Sequence, residues 1–323
     1  MNRFAAALLS VFALLGAASS AFSQEWPSKP VRFIVPFPPG GSVDPLGRLL
    51  AAKLADPLKA QFFVENRPGA GGSIGTAVVA KAPPDGYTFL VSFDSHGVNQ
   101  ALISNLPYDT AKDFAPVMLV GTAPYAIATA TGKPWKTFRD VVAASKANPE
   151  SVTIGSIGNG TLGHLLLVQA MQMGNFKITH VPFPGGGPMN TNILGGQIDM
   201  GAGSVALLTP QVKGGKMRAI ATAGDKRATS MPDVPTMIEQ GFPGLTAYAW
   251  WGIYAPAGTP KPIIDRMHNE MAKVLSQPDV RKNLSETLGM DLVVSTPEEL
   301  QKWTLEQLAR WGKVVKDNNI KTD

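Results

Sequence analysis

Hydrophobic residues follow two alternating spacings in the first part of the chain, and these spacings predict strands that alternate with helices. A β-branched and aromatic run at residues 31–35 is typical of a buried strand, and the leucines that recur after Ser42 are typical of a helix capped by that serine. Further strands are predicted at residues 62–64 and 87–92, and Ser73 can cap a second helix between them. This order is typical of a parallel sheet with helices on both faces.

The same order begins again near Thr137. The next elements are a helix through Val141 and Val142, a strand at residues 152–154, a helix at 162–173 and a strand at 178–181. The C-terminal part predicts two more helices, one beginning after residues 259–260 and one at a capping box formed by residues 296–299. We therefore predict an α/β fold with two lobes, each a doubly wound sheet with flanking helices.

Each predicted lobe contains a strand that ends in nearly the same turn sequence. The segments VPFPPGG at residues 35–41 and VPFPGGG at residues 181–187 combine prolines, which fix the backbone, with glycines, which let a ligand approach backbone N–H groups. Loops at the carboxyl ends of strands bind ligands in open α/β sheets. This similarity predicts a ligand site between the lobes, and we call the two segments the echoed loops. The alternative is that both segments only form tight turns.

A glycine-rich motif follows the strand predicted at residues 152–154. The segment GNGTLG at residues 158–163 has the G-x-G-x-x-G spacing of a dinucleotide site, but no acidic residue lies between Glu150 and Asp199 to bind a ribose. The motif therefore predicts an anion-binding helix N-terminus rather than a nucleotide site. We expect His164, one turn into that helix, to orient the loop rather than to act as a base.

Residues 1–23 have the pattern of a secretory signal peptide: a basic residue, an apolar stretch too short to span a bilayer, and small residues before the cleavage site. The chain has no cysteine, which excludes thiolate catalysis and suits an oxidising compartment. The formal net charge of +5 comes from basic residues spread along the chain. No nucleic-acid partner is therefore predicted.

The sequence lacks the patterns of common catalytic centres. The four histidines have no metal-ligand spacing and there is no G-x-S-x-G elbow, so we predict no catalytic residue, no metal and no cofactor. Asp94, Ser95 and His96 cannot form a hydrolytic triad on one strand, because neighbouring side chains point to opposite faces. Two interpretations of Asp44 stay open: a ligand contact, or a carboxylate that complements the dipole of the helix after Ser42.

Successive segments of the chain resemble one protein family. In order, they are VPFPPGGSVDPLGRLLA, VENRPGAGGSIG, APPDGYTFL, LPYDTAKDFAPV, SIGNGTLGH, HVPFPGGGP, KMRAIATAGDKRATSMPDVPTMIEQGFPG and GIYAPAGTPKPII. Together they cover essentially the whole mature chain and resemble the Bug family, named from the Bordetella uptake gene. These are the extracytoplasmic substrate-binding proteins of tripartite tricarboxylate transporters.

The resemblance implies a type II-like periplasmic binding protein with two lobes. Lobe one would combine residues 24–123 with residues 249–323, and lobe two would comprise residues 124–248. We expect a periplasmic monomer that closes around a small organic acid and presents it to the membrane permease subunits of the transporter. Two alternatives are a periplasmic sensor subunit that passes its liganded state to a receptor and, less favoured, a hydrolase on the same fold.

The family also implies where the ligand lies. One carboxylate would be held by backbone groups and ordered water at residues 38–42, and the opposite lobe would contribute residues 156–161 and 184–188. Water-mediated contacts are nearly as favourable as direct ones, so one framework can accept several acids.

Two segments depart from the usual pattern of the family. Residues 93–96 read Phe-Asp-Ser-His where small uncharged residues are common, and Ala202-Gly203 stands where many members have Phe-Asp. An ionised Asp94 in the cleft would repel a second carboxylate and favour a monocarboxylate with a hydrogen-bond donor, with Phe93 against its body. Alternatively, Asp94 only caps the following turn. The predicted ligand-binding residues are Phe37, Pro38, Gly40, Gly41, Ser42, Asp44, Phe93, Asp94, Ser95, Ser156, Gly158, Asn159, Gly160, Thr161, His164, Pro184, Gly185, Gly186, Gly203 and Ser204.

Overall fold

The computed structural model describes residues 26–318 and residue 320, so the predicted signal peptide lies outside the described residues. The strands are β1 (Val31–Val35), β2 (Phe62–Asn66), β3 (Thr88–Val91), β4 (Phe114–Ala130), β5 (Thr153–Ser156), β6 (Thr179–Pro182), β7 (Met200–Ser204), β8 (Met217–Thr222), β9 (Tyr248–Pro256) and β10 (Asp291–Leu292). The helices are α1 (Val43–Leu58), α2 (Ser73–Ala80), α3 (Asn99–Leu102), α4 (Phe138–Ala147), α5 (Leu162–Gly174), α6 (Gly186–Leu194), α7 (Val205–Lys213), α8 (Lys261–Ser276), α9 (Pro278–Lys282) and α10 (Pro297–Asp317). Within the described ranges, no helix is both long enough and apolar enough to cross a membrane.

The strands form one continuous sheet in the order β2-β1-β3-β9-β4-β7-β5-β6, and β8 and β10 also pair with β4. In one half β1 pairs in parallel with β2 and β3, and in the other half β5 pairs in parallel with β6 and β7. Helices connect the parallel strands, as the alternating sequence pattern requires. The predicted α/β fold class, with two parallel halves and flanking helices, is confirmed.

The two long strands β4 and β9 join these halves. β4 spans 17 residues and pairs antiparallel with β9 and β10 in one half and with β7 and β8 in the other. Its pairing with β9 shifts register twice between Pro116 and Gly121, and such irregularities bend a strand and increase its twist. The loops that follow β1, β3, β5 and β7 meet beside this junction.

Helix α1 illustrates how the sequence determines an element. Leu46, Leu50 and Leu54 are four positions apart, and all three are fully buried in the layer where α1 contacts β1 and β2. Burying each leucine contributes about 1.5–3 kcal/mol. The helix ends at Lys59, whose left-handed conformation lets its N–H bond back to the carbonyls of the last turn.

The predicted helix caps have mixed outcomes. The predicted capping box at Thr296 is present, and Thr137 forms a second one that was not predicted. Ser42 precedes α1 as expected, but its side chain makes no capping hydrogen bond. The prediction that Ser73 caps α2 is wrong, because Gly72 occupies the cap with a φ of 88° and Ser73 is the first helical residue. A left-handed residue at this position favours glycine.

Candidate ligand-binding site

The two echoed loops, residues 35–41 and 181–187, lie against each other at the junction of the halves. A Cβ atom on Gly187 would lie 2.8 Å from the Pro39 carbonyl oxygen, and one on Gly185 would lie 2.7 Å from Pro38 Cγ. Both distances are too short for a real contact, so the loops approach this closely only because both positions are glycine. The glycines of the second turn sequence therefore allow the two loops to pack closely against each other.

A partly open pocket lies beside this contact, and we call it the inner chamber. Its space, counted with the part open to solvent, is about 310 Å³. Both halves contribute to its wall, and none of its lining residues is charged. These residues are Phe37, Gly41, Ser42, Val43, Phe93, Tyr125, Ile157, Gly186, Gly203, Ser204 and Leu207.

Three helices begin at the wall of the inner chamber. α1 begins after Ser42, α6 begins at Gly186 and α7 begins after Ser204. The N-termini of α1 and α6 have no side-chain cap, whereas Ser204 Oγ accepts a hydrogen bond from Leu207 N at 3.2 Å. A helix N-terminus carries free N–H donors and about half a positive charge. The inner chamber is therefore suited to an anion although no lysine or arginine lines it.

An aromatic group forms the side of the inner chamber in the first half. The rings of Phe37 and Phe93 have centroids 5.7 Å apart in an edge-to-face arrangement, and Phe93 lies 5.4 Å from Trp251. Such ring pairs hold each other in place and contribute about 0.5–1.5 kcal/mol beyond their buried area. They give a ligand next to the helix N-termini an apolar surface to contact.

Asp94 does not face the cleft, where a residue that contacts the ligand is expected. It is fully buried, it does not line the inner chamber, and its Oδ2 accepts a hydrogen bond of 2.8 Å from the hydroxyl of Tyr125. Burial raises the pKa of the Asp94 carboxyl well above its ordinary value, against the opposing effect of the Tyr125 hydrogen bond. The idea of an ionised Asp94 facing the cleft is therefore wrong, and the carboxyl instead supports Tyr125 from behind.

A second cavity shares Ile157 with the inner chamber, and we call it the outer chamber. Its space, counted with the part open to solvent, is about 920 Å³. Loops of both halves form its wall, which is largely apolar. Its lining residues are Gly69, Ala70, Gly71, Asn99, Leu102, Ile103, Ile157, Gly158, Asn159, Phe183 and Pro184.

A third cavity shares Gly41, Ser42 and Leu207 with the inner chamber and includes Gly40 and Asp44. Its space, counted with the part open to solvent, is about 590 Å³. The two carboxylate oxygens of Asp44 are both engaged: Oδ2 accepts from Arg48 Nε at 3.0 Å and Oδ1 accepts from Asn66 Nδ2 at 2.9 Å. Asp44 also lies in the first turn of α1. These contacts favour the structural interpretation of Asp44 over a ligand contact.

The glycine-rich loop at residues 158–163 uses its N–H groups internally. Gly158 N donates to Ser156 Oγ at 3.3 Å, and Gly160 N donates to His164 Nδ1 at 3.0 Å. Thr161 N and Thr161 Oγ1 both donate to the carbonyl of Gly158. His164 thus orients the loop as expected, and the Gly158 and Gly160 N–H groups are not free to bind an anion. The anion site predicted at this loop stays a prediction.

His180 supports this same loop. Its Nε2 lies 2.7 Å from Ser156 Oγ, and its ring is stacked on His164 with centroids 4.1 Å apart. Burial, followed by the effect of His164, lowers the pKa of His180 to about 4. The neutral ring is therefore the form that holds the loop near neutral pH.

His96 does not take part in a catalytic arrangement. It is buried, its ring lies 4.8 Å from Tyr254 and 4.9 Å from Phe114, and neither ring nitrogen has a hydrogen-bond partner among the described residues. Asp94 bonds to Tyr125 and not to this histidine. The adjacent Asp94, Ser95 and His96 therefore form no triad, as the sequence indicated.

Comparison with known proteins gives the family. The model of the tripartite tricarboxylate transporter family receptor matches residues 46–320. Protein BugT of Bordetella pertussis is 32% identical over 323 residues, covering 99% of both chains. The chain belongs to the tripartite tricarboxylate transporter receptor family. The expected resemblance to Bug proteins is confirmed, and the protein is a solute-binding receptor.

Solved structures similar to this receptor include two with bound acids. The R. palustris protein Rpa4515, solved with adipate, is 30% identical with a TM-score of 0.88, covering 92% of this chain and 99% of that one. MatC of Rhodopseudomonas palustris, solved with malate, is 32% identical with a TM-score of 0.85, covering 90% of this chain and all of that one. Both relatives hold a dicarboxylic acid.

The predicted ligand residues divide into three groups in this receptor. Those lining the inner chamber are Phe37, Gly41, Ser42, Phe93, Gly186, Gly203 and Ser204. Those lining the other two cavities are Gly158, Asn159 and Pro184, and Gly40 and Asp44. Those outside all three linings are Pro38, Asp94, Ser95, Ser156, Gly160, Thr161, His164 and Gly185.

The sequence analysis missed several residues of the chambers. Tyr125 and Leu207 line the inner chamber, and Asn99, Leu102 and Ile103 line the outer one. Tyr125 is in the middle of β4, where the surrounding sequence predicts a strand but does not indicate a ligand contact. The one available signal was its position in the predicted crossing between lobes, since such crossings pass close to a cleft ligand.

Proposed function

We propose that this receptor binds a small organic acid in the inner chamber and delivers it to the permease of a tripartite tricarboxylate transporter. The observation that carries the proposal is the meeting of the N-termini of α1, α6 and α7 at one chamber without a charged side chain. An exposed helix N-terminus contributes about 0.3–1 kcal/mol to binding a negative charge, and up to about 2 kcal/mol when partly buried. Three such termini favour a carboxylate over a neutral group of equal size.

The same arrangement explains how the carboxylate is bound without being trapped. An arginine would fix two oxygens rigidly, whereas backbone N–H groups and ordered water accept several orientations. Ser42, whose hydroxyl makes no capping bond, adds a donor at the wall. A receptor that must release its ligand to a permease benefits from such adaptable contacts.

Ligand binding is coupled to the approach of the two halves. The Gly185 and Gly187 contacts with residues 38–40 join a loop after β1 to a loop after β6, so they form only when the halves are together. We retain the division into residues 24–123 with 249–323 and residues 124–248 as the two moving lobes. Closure of this kind removes the carboxylate from bulk water, which strengthens its electrostatic interactions.

The receptor acts in the periplasm as a monomer and does not convert its ligand. The segment that supports export is residues 1–23. Binding without turnover is supported by the isolation of His96 in an aromatic environment and by the use of His164 and His180 to hold a loop. Among the described residues, none of these histidines has a carboxylate partner to orient it as a base.

Native mass spectrometry of gently purified mature protein tests the proposal. The expected result is a 1:1 complex with a small molecule that carries a carboxylate, released intact when the protein is denatured. The released acid, incubated with a catalytic amount of protein, should be recovered unchanged. Time-dependent conversion of the acid would overturn binding without turnover, and failure of every carboxylate to bind the emptied protein would overturn the proposal.

A further inference from the structure

We propose that the ligand is a monocarboxylate whose apolar or aromatic body fills the outer chamber, and that the receptor selects it over a dicarboxylate of the same length. The inference rests on the proposed function, because it assumes that the inner chamber holds the first carboxylate. It concerns the other end of the ligand. It does not depend on an ionised Asp94, which is buried away from both chambers.

The outer chamber offers the body of an acid a largely apolar wall. Ile157 lines both chambers, so the two are adjacent at this residue. Beyond it lie the side chains of Leu102, Ile103 and Phe183. Apolar ligand surface placed against these groups is removed from water, which is the main source of affinity in such pockets.

The polar groups of the outer chamber cannot hold a second carboxylate well. None of its lining residues is charged. Asn99 Nδ2 donates to the carbonyl of Gly71 at 3.2 Å and lies 3.4 Å from the hydroxyl of Tyr108. Asn99 therefore has only its carbonyl oxygen to offer, and a carboxylate cannot donate to an acceptor.

Part of the backbone beside the outer chamber is also engaged. The N–H groups of Gly158 and Gly160, in the loop that forms one side, donate to Ser156 and His164. Asn159 is the remaining polar side chain of the lining, and it is exposed to solvent. A carboxylate in this chamber would lose its hydration without equivalent hydrogen bonds, which is costly for a charged group.

Two matched pairs of acids test the inference by calorimetric titration of the emptied mature receptor. Hexanoate and adipate differ only in the far carboxylate, as do 3-phenylpropionate and 3-(4-carboxyphenyl)propionate. We expect the monocarboxylate of at least one pair to bind at least tenfold more tightly than its partner, and neither dicarboxylate to bind more tightly. A dicarboxylate that binds more tightly than its partner, less than a tenfold preference in both pairs, or no binding in either pair would overturn the inference. Native mass spectrometry still decides the proposed function separately.

A variant pair locates the selectivity in the outer chamber. Ile103 is half-buried at the lining, so Ile103→Lys can add an ammonium group there. We expect this variant to lower the hexanoate-to-adipate affinity ratio at least tenfold, whereas Ile103→Met, uncharged and of similar size, keeps the ratio of the parent chain. An unchanged ratio in a Ile103→Lys protein with the parent melting temperature would show that the far end lies elsewhere.

Discussion

Replacing Gly187 by alanine tests the coupling between ligand binding and the approach of the two halves. The new Cβ atom would lie 2.8 Å from the Pro39 carbonyl oxygen and 3.4 Å from the Gly40 backbone. These are backbone atoms, which cannot rotate away as a side chain can, so one loop must withdraw. The backbone of Gly187 has no positive φ, and alanine is therefore unstrained when the halves are apart.

The size of the effect follows from the cost of overpacking. Forcing one extra carbon into a packed contact typically costs about 1–3 kcal/mol, which corresponds to about 5- to 150-fold in affinity. We expect Gly187→Ala to weaken the binding of the acid recovered from the receptor by this factor in calorimetric titration. The melting temperature without ligand should stay that of the parent chain, because the contact forms only in the closed arrangement.

A matched control separates this contact from the general effect of replacing a glycine. Gly132 also has no positive φ, and a Cβ atom there would meet nothing within 4 Å. Gly132→Ala should therefore leave both affinity and melting temperature unchanged. If Gly187→Ala binds the acid within twofold of the parent affinity, the contact between the echoed loops is not part of the liganded state.

Three further predictions concern stability, pH and ligand choice. Burial raises the pKa of Asp94, so this carboxyl stabilises the fold fully below its unfolded pKa and progressively less as the pH rises. Asp94→Asn should therefore have a higher melting temperature than the parent at pH 7.5, and the difference should shrink towards pH 4. The same variant should rank a panel of acids as the parent does. The pKa of His180 is lowered to about 4, so its neutral ring stabilises the fold above the ordinary histidine pKa of 6.5 and loses this contribution as the pH falls towards 4. His180→Gln should have a flatter profile of melting temperature against pH over that range. A profile as steep as the parent's would refute this role of His180. Thr296→Ala, which removes the cap of α10, should lower the free energy of unfolding by about 0.5–2 kcal/mol in urea titration without changing affinity.

Regular elements could be predicted from the sequence because their patterns are local. The helix after Thr137 follows from its apolar spacing, the helix at Thr296 follows from a capping box with apolar spacing, and both are present. The strands β1 and β5 follow from β-branched runs, and the parallel pairing follows from the helices between strands. Ser73 was misassigned because a serine and a glycine in a left-handed conformation both start helices, and the sequence of the turn does not decide between them.

The site could be predicted only in part, because its chemistry depends on which groups are already bonded. The glycine-rich loop has the sequence of an anion cradle, but Ser156 and His164 take its donors. Asp94 has the sequence position of a ligand contact, but its carboxyl turns to Tyr125, a residue of a distant strand. The echoed loops were the better signal, since two similar turn sequences far apart in the chain lie against each other at the site.

The central claim is that helix N-termini at the inner chamber recognise a carboxylate. Calorimetric titration of the receptor with the tightest-binding acid of the panel, and with the primary amide of the same acid, tests it most directly. The amide has the same body and nearly the same shape but no negative charge. The account predicts that the amide binds at least tenfold more weakly, and equal affinity for the acid and its amide would contradict it.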